Sequence, residues 1–400
     1  MLLSMSLIFL CGLAFGWLFR KFRLPGLLGM LVTGMLLGPF ALNLLDQKIL
    51  LVSPDLRQLA LIIILARAGL SLDTEDLKQA GRPAFLLCFV PACVEIAAMV
   101  LLAPRLLGVS VLDAAVMGTV VAAVSPAVIV PRMLDLMAKR LGTGKKIPQM
   151  ILAGASVDDV FVIVLFTVFI SLAQNKTFSP ARFLAIPTAI FLGLLSGFVI
   201  GLLLSRFFTT MHIRDSGKVV IILSISFLLV SAEQYFEGSI GFSGLLAVMA
   251  VGMTLKQKKQ IVSKRLSLKF EKLWVAAEVL LFVLVGAAVD VSFALKTGVA
   301  AAWLVLLVVS MRFAGVMLCL IKTNLDAKER IFVGIAYLPK ATVQAAIGGV
   351  PLAMGLASGN MVLTVAVLSI ILTAPIGAVL IDALHRRLLT ADRADATDAP

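Results

Sequence analysis

Charged residues are scarce in this chain. They make up 14% of the sequence against 61% hydrophobic residues, and the mean hydropathy is +1.09, whereas soluble domains carry about 25% charged residues. That balance excludes an ordinary water-soluble fold and implies a chain that crosses a membrane many times. Cysteine and histidine are thin as well. The four cysteines, Cys11, Cys88, Cys93 and Cys319, lie in apolar surroundings without CxxC spacing, so they read as small core residues rather than disulfides or metal ligands. His212 and His385 sit in basic stretches at segment ends. The sequence therefore offers no His/Cys/carboxylate cluster for zinc or iron, and no metal cofactor is expected. No nucleophile–base constellation is visible either, which argues against an enzyme. The opening MLLSMSLIFLCGLAF lacks the basic stretch that begins a signal peptide and reads as a retained first span.

About twenty apolar residues cross a bilayer. On that ruler thirteen candidate spans are marked, at 2–19, 26–43, 56–72, 83–104, 111–131, 148–173, 183–205, 219–232, 238–255, 273–289, 297–321, 331–357 and 360–384. An odd number puts the termini on opposite sides. With the N-terminus outside, 26 of the 35 basic residues fall in inner segments, six in outer ones, and three (Arg67, Arg312 and Lys340) within spans. This is the bias of cytoplasmic loops. The net charge of +13 is then mostly topology, and with no basic helix carrying interleaved aromatics, no nucleic-acid partner is expected. The tail TADRADATDAP is polar and expected to be disordered.

The chain also resembles itself. PGLLGMLVTGM (25–35) aligns with SGLLAVMAVGM (243–253), five of eleven positions being identical at an offset of 218. ARAGLSL (66–72) matches VGAAVDV (285–291) loosely at 219, and at 217 Glu95 falls opposite Arg312. The second copy begins seven spans after the first, so the two are inverted, a signature of transporters with a site near the midplane.

Broken helices are expected at VSPAVIVP (124–131) and YLPKATVQAAIGGVP (337–351), each with proline inside an apolar run. Proline frees a backbone carbonyl, which in lipid is tolerated only beside protein or a watery cavity. Freed carbonyls and half-helix ends can bind cations. In GASVDDVFVIVLF, Asp158 and Asp159 lie near the middle of a span, where one Asp costs about 2.5–3.5 kcal/mol to insert. Neighbours on a helix point about 100° apart. One can thus face an aqueous cavity while the other supports a broken helix. A buried carboxylate beside another is suited to hold a proton or a small cation. Arg312 and Lys340 supply countercharge: Arg312 is expected to pair with Glu95, and Lys340 to lie near the aspartates or at half-helix C-terminal ends. Ser156 offers a hydroxyl ligand or simply a close helix contact. Arg67 and Glu278 fit a lipid-edge or subunit-interface role as well as a transport one.

The set SVDD, VSPAV and LPKATVQAAIGGVPL, with GLLGMLVTGMLLGP near the N-terminus, resembles the monovalent cation–proton antiporter superfamily, and within it the NHA-type sodium/proton exchangers. The resemblance covers nearly the whole chain. It implies an all-α polytopic fold of the NhaA/NapA-like kind, with inverted repeats and two crossed, broken helices carrying Ser125–Pro126 and Pro339–Lys340. It further implies a homodimer working by elevator-type alternating access. The dimerisation domain would comprise 1–80 and 218–292, the core 82–174 and 297–385, with a linker helix at 181–206 and a short cytoplasmic tail at 386–400. Na⁺ and H⁺ would bind at Asp159, with Asp158 coordinating or pairing with a basic residue, Ser125 and Ser156 as further ligands, and Glu95–Arg312 as a core charge pair. Arg312 stands where electrogenic relatives often carry lysine, which leaves the stoichiometry open.

The expected function is exchange of Na⁺, Li⁺ or K⁺ for H⁺ in a membrane, taken as a bacterial inner membrane with the C-terminus cytoplasmic. A sodium-coupled symporter of organic anions and a passive cation channel remain the alternatives.

Overall fold

The computed structural model describes residues 1–22, 24–71, 74–174, 180–211, 213–235 and 242–390. Its helices are α1 (Leu2–Lys21), α2 (Gly26–Leu37), α3 (Gln47–Leu51), α4 (Ser53–Ser71), α5 (Thr74–Leu87), α6 (Val90–Leu107), α7 (Val111–Ala122), α8 (Pro126–Ala138), α9 (Ile147–Gln174), α10 (Pro180–Thr210), α11 (Asp215–Tyr235), α12 (Gly244–Lys258), α13 (Gln260–Ala287), α14 (Val291–Cys319), α15 (Ala327–Ala336), α16 (Thr342–Ile347), α17 (Val350–Ala353) and α18 (Gly359–Leu388). His212 and the tail beyond Thr390 fall outside the described residues, as does the side chain of Ser156.

Every predicted span overlaps helix, but among the described residues only eight helical stretches are long and apolar enough to cross a membrane. The other five predicted spans differ for physical reasons. Helices α2 and α12 have only 12 and 15 residues. Helix α4 carries Asp55, Arg57 and Arg67, and the first half of α13 is rich in lysine. The span at 331–357 is cut into α15, α16 and α17. The chain is an integral membrane protein, and its short apolar helices are tolerable because they are buried in protein rather than exposed to lipid.

The helices pack in two groups. One gathers α1, α2, α4, α10, α11, α12 and α13; the other gathers α5 to α9 with α14 to α18. They meet where α16 rests on α4 and α13.

Contacts within the groups carry the imprint of the repeat. Gly34 of α2 lies so close to α13 that a Cβ would run into the Val283 carbonyl, and a Cβ on Gly286 would strike Leu31. In the second copy, Gly252 of α12 lies against the Leu70 backbone of α4, and a Cβ on Gly69 would strike Met249. The first copy of one helix thus packs on the second copy of the other, and the reverse. Such an exchange of partners is what an inverted pair looks like in contacts. Helices α6 and α14, which bear the equivalent positions Glu95 and Arg312, pack directly on one another.

Two cysteines, Cys88 and Cys319, are buried and Cys11 is half-buried. Cys93 departs from its expected core position: it is exposed on α6.

Candidate functional site

Both expected breaks are present. Helix α7 ends at Ala122, residues 123–125 are extended, and Pro126 starts α8, where its missing N–H costs nothing. Likewise α15 ends at Ala336 and α16 begins only at Thr342, with Pro339 and Lys340 in the non-helical stretch between. The breaks lie against each other, Ser125 N–H donating to the Pro339 carbonyl at 2.8 Å. A long helix braces each one. Val124 N–H donates to Asp158 Oδ2 on α9 at 3.0 Å, and Lys340 N–H donates to Thr373 Oγ1 on α18 at 2.9 Å. One copy thus braces its break with a carboxylate and the other with a hydroxyl.

Around the first break sit four buried charges. Arg312 commits every nitrogen of its guanidinium: Nε to the Tyr337 carbonyl at 3.0 Å, Nη1 to Glu95 Oε2 at 2.8 Å and to the Ala122 carbonyl, Nη2 to Asp158 Oδ2 at 2.7 Å. Lys340 Nζ donates to Glu95 Oε2 at 2.7 Å and to Ala122 O at 3.3 Å. All four side chains are fully buried. The expected contact of Glu95 with Arg312 is therefore made. Lys340 takes Glu95 and the C-terminal end of α7, with no hydrogen bond to either aspartate. Two cations on one helix end match the partial negative charge that gathers there.

Glu95 and Asp158 balance Arg312 and Lys340, so this four-residue cluster is formally neutral. Asp159 is the surplus. It is half-buried on α9, and its Oδ1 is enclosed without a hydrogen-bond partner. The Ser125 hydroxyl, at the start of α8, is also buried and without a partner. An uncompensated carboxylate in a low-dielectric setting calls for a proton or a metal cation. Among the described residues no group of three or more His, Cys, Asp and Glu gathers to hold a metal ion, so any cation here would rest on one carboxylate and neutral oxygens, the donor chemistry of hard cations.

A cleft of about 520 Å³ opens between the two helix groups, lined by Arg20, Pro25, Ala127, Val128, Arg132 and Glu278 among others. Ala127 and Val128 belong to the first turn of α8, directly after Ser125. Glu278 thus lines the cleft, and Arg67 pairs with Glu271 at 3.3 Å on a partly exposed face. Several residues of the site were not singled out in the sequence. Gln344 donates to the Val121 and Ala123 carbonyls at 3.0 and 2.7 Å, and Tyr337 receives Arg312 on its carbonyl with its ring 5.6 Å away. A signal existed for Gln344: a polar amide inside an apolar run raises the same question as a charge.

A family model described as "Sodium/hydrogen exchanger, transmembrane" matches residues 5–386. The chain belongs to the sodium/hydrogen exchanger family. Within that family, human sodium/hydrogen exchanger 9B2 is 34% identical over 413 residues, spanning 97% of this chain and 75% of the relative. Human sodium/hydrogen exchanger 9B1 is 32% identical over 387 residues, spanning 92% and 73%. These relatives are named as exchangers, not enzymes. The solved structure of the sodium proton antiporter MjNhaP1 from Methanocaldococcus jannaschii at pH 8 aligns with a TM-score of 0.80 at 18% identity, covering 96% of each chain. That likeness establishes the antiporter fold for this exchanger-family chain.

Proposed function

We propose that the chain exchanges Na⁺, with Li⁺ or K⁺ as competing cargo, for H⁺ across the membrane, with Asp159 carrying both in turn. The observation that carries the reading is the charge balance: Glu95, Asp158, Arg312 and Lys340 neutralise one another, which leaves Asp159 as the one surplus carboxylate. A proton or a cation makes the whole set neutral and able to pass a low-dielectric barrier. A bare Asp159 holds it back. Binding is therefore competitive, and leakage of either ion alone is suppressed.

The Ser125 hydroxyl, buried and without a partner at the start of α8, serves as a neutral ligand. Asp158, held by Arg312 and the Val124 N–H, stays ionised and supports the break instead of taking up cargo. Arg312 does not release its proton, so one titrating carboxylate gives one Na⁺ for one H⁺.

The group of α5 to α9 with α14 to α18 acts as the moving core and the other group as the static part, two copies of which pair in a homodimer. The cleft between the groups is the approach from the cytoplasmic side, since Arg20 and Arg132 on its wall belong to the basic inner segments. The N-terminus is then outside. The curated relatives come from animals, so they lend no support to a bacterial inner membrane.

The test is a pH-sensitive dye sealed in proteoliposomes, with Na⁺, Li⁺ or K⁺ added outside. A cation-driven proton signal in the wild type that disappears in folded Asp159→Asn is expected. An unaltered signal in that variant would refute the assignment.

A further inference from the structure

We propose that Arg57 sets the balance between the inner-open and outer-open forms, because shutting the outer entrance buries its charge without a counter-ion. The inference rests on the exchange reading above, in which one helix group moves against the other.

Arg57 lies one turn into α4, at the outer end of that helix on the orientation with the N-terminus outside. It is only 7% exposed. Among the described residues four basic side chains are buried: Arg57, Lys218, Arg312 and Lys340. Three of them have an acid. Arg312 and Lys340 share Glu95 and Asp158, and Lys218 has Asp215 at 3.6 Å. Arg57 is the exception. No carboxylate among the described residues comes within ion-pair distance of it, and its one hydrogen bond runs from Nε to the Ser53 carbonyl of its own helix at a long 3.4 Å.

The guanidinium is covered by the other helix group. Gly349 joins α16 to α17, and the space a side chain would fill there is taken by Arg57 Nη1, with Cζ 3.0 Å from the same point. Helix α16 is also where the two groups meet, resting on α4 and α13. It starts at Thr342, two residues after Lys340, so the second break and the cover over Arg57 lie on one short element. In the form described the cleft is open beside Arg20 and Arg132, at the inner end, and Arg57 is closed over at the other. A movement of the core that opens the outer side lifts Gly349 away and lets water reach the guanidinium.

Taking a charge out of water is unfavourable unless an opposite charge and good hydrogen bonds offset it. Gly349 offers no side chain, and the carbonyl end of α16 is a weak counterpart, since six residues carry little of a helix dipole. The outer-closed form therefore bears a cost that the outer-open form escapes. Arg57 keeps the outer-open form populated, and it does so without a hydrogen bond or ion pair to Asp159 or the four-charge cluster. A neutral side chain of similar length shifts the balance towards the inner-open form.

The experiment reads Na⁺-driven proton exchange from each face separately, in right-side-out and inside-out membrane vesicles, for the wild type, Arg57→Met, Arg57→Gln and Arg57→Lys. Half-saturation at a face follows the fraction of protein open to that face. Arg57→Met is expected to lower the half-saturating Na⁺ concentration at the inner face and raise it at the outer face, changing their ratio by roughly tenfold. Arg57→Gln should do the same and provides the reading if Arg57→Met fails to fold, whereas Arg57→Lys keeps the charge and should stay near the wild type. A side chain that merely held α4 in place would move both values the same way, or the maximal rate alone. Hydrogen exchange of the purified protein without Na⁺ gives a second reading: in Arg57→Met the backbone of residues 342–353 should exchange more slowly and that of 127–130 faster. Unchanged values at both faces, a shift in the same direction at both, or a ratio moved the other way overturns the proposal. A wild type without any Na⁺-driven signal overturns the exchange reading beneath it, and hydrogen exchange then decides the role of Arg57 by itself, an unchanged or reversed pattern counting against it.

Discussion

Replacing Arg312 by methionine removes four hydrogen bonds and two ion-pair contacts at once while keeping much of the side chain's volume. Asp158 then retains only the Val124 N–H, whereas Glu95 keeps Lys340 at 2.7 Å. The cost should resemble that of one broken buried pair rather than two, about 3–5 kcal/mol. At roughly 2 °C per kcal/mol for a large chain, this lowers the melting temperature by about 6–10 °C. Arg312→Lys should fall between, since one ammonium cannot replace three guanidinium nitrogens aimed at four acceptors. The assay is thermal unfolding in detergent, read by monodisperse protein surviving each temperature. Asp158→Asn combined with Arg312→Met should be less destabilising than the sum of the singles by about 1 kcal/mol or more, because the double variant no longer strands a carboxylate. Additive losses, or an Arg312→Met protein melting within about 2 °C of the wild type, would refute the four-charge cluster.

The same cluster predicts that Lys340→Gln, which leaves Glu95 to Arg312 alone, lowers the melting temperature in the same assay, because the 2.7 Å contact of Lys340 with Glu95 is lost from a fully buried set; a melting temperature equal to the wild type would contradict it. Outside the spans, the hydrogen bond from Lys145 to Glu329 at 2.8 Å holds the Lys145 ammonium above its ordinary 10.5. A raised value means this contribution is full below about 10.5 and fades only as pH climbs through the raised value. Lys145→Met should therefore lower the melting temperature equally at pH 7 and pH 9; a difference that shrinks between them contradicts the bridge. Gly34→Ala drives a methyl group into the Val283 carbonyl and should cost about 1–3 kcal/mol. Gly298→Ala, on an open part of α14, should be neutral or stabilising by up to about 1 kcal/mol. Equal melting temperatures for the two glycine variants would contradict the packing of α2 on α13.

What could be read from the sequence was whatever costs much in lipid. Mid-span charges and prolines are few and expensive, so Glu95, Arg312, Lys340, the Asp pair and both breaks stood out, and the repeat offset put Glu95 opposite Arg312 before any contact was known. The partner of Lys340 was harder to foresee. Its main acceptors are Glu95, 245 positions away, and a backbone carbonyl freed by the first break, and a hydropathy window carries no information about either. Gln344 escaped notice for a related reason: an uncharged amide barely disturbs hydropathy, and both its acceptors are carbonyls more than two hundred positions away. Span lengths were overread in α2, α12 and α15 to α17, because composition registers an apolar run without registering where its backbone stops being helical.

The central claim is that Na⁺ and H⁺ compete for Asp159. Calorimetric titration of the purified protein with Na⁺ at a series of pH values tests it most directly. The account predicts an apparent Kd that rises about tenfold for each unit the pH falls on the acidic side, as one-proton linkage requires, and no Na⁺ heat in folded Asp159→Asn. An affinity independent of pH, or one retained by that variant, would contradict it.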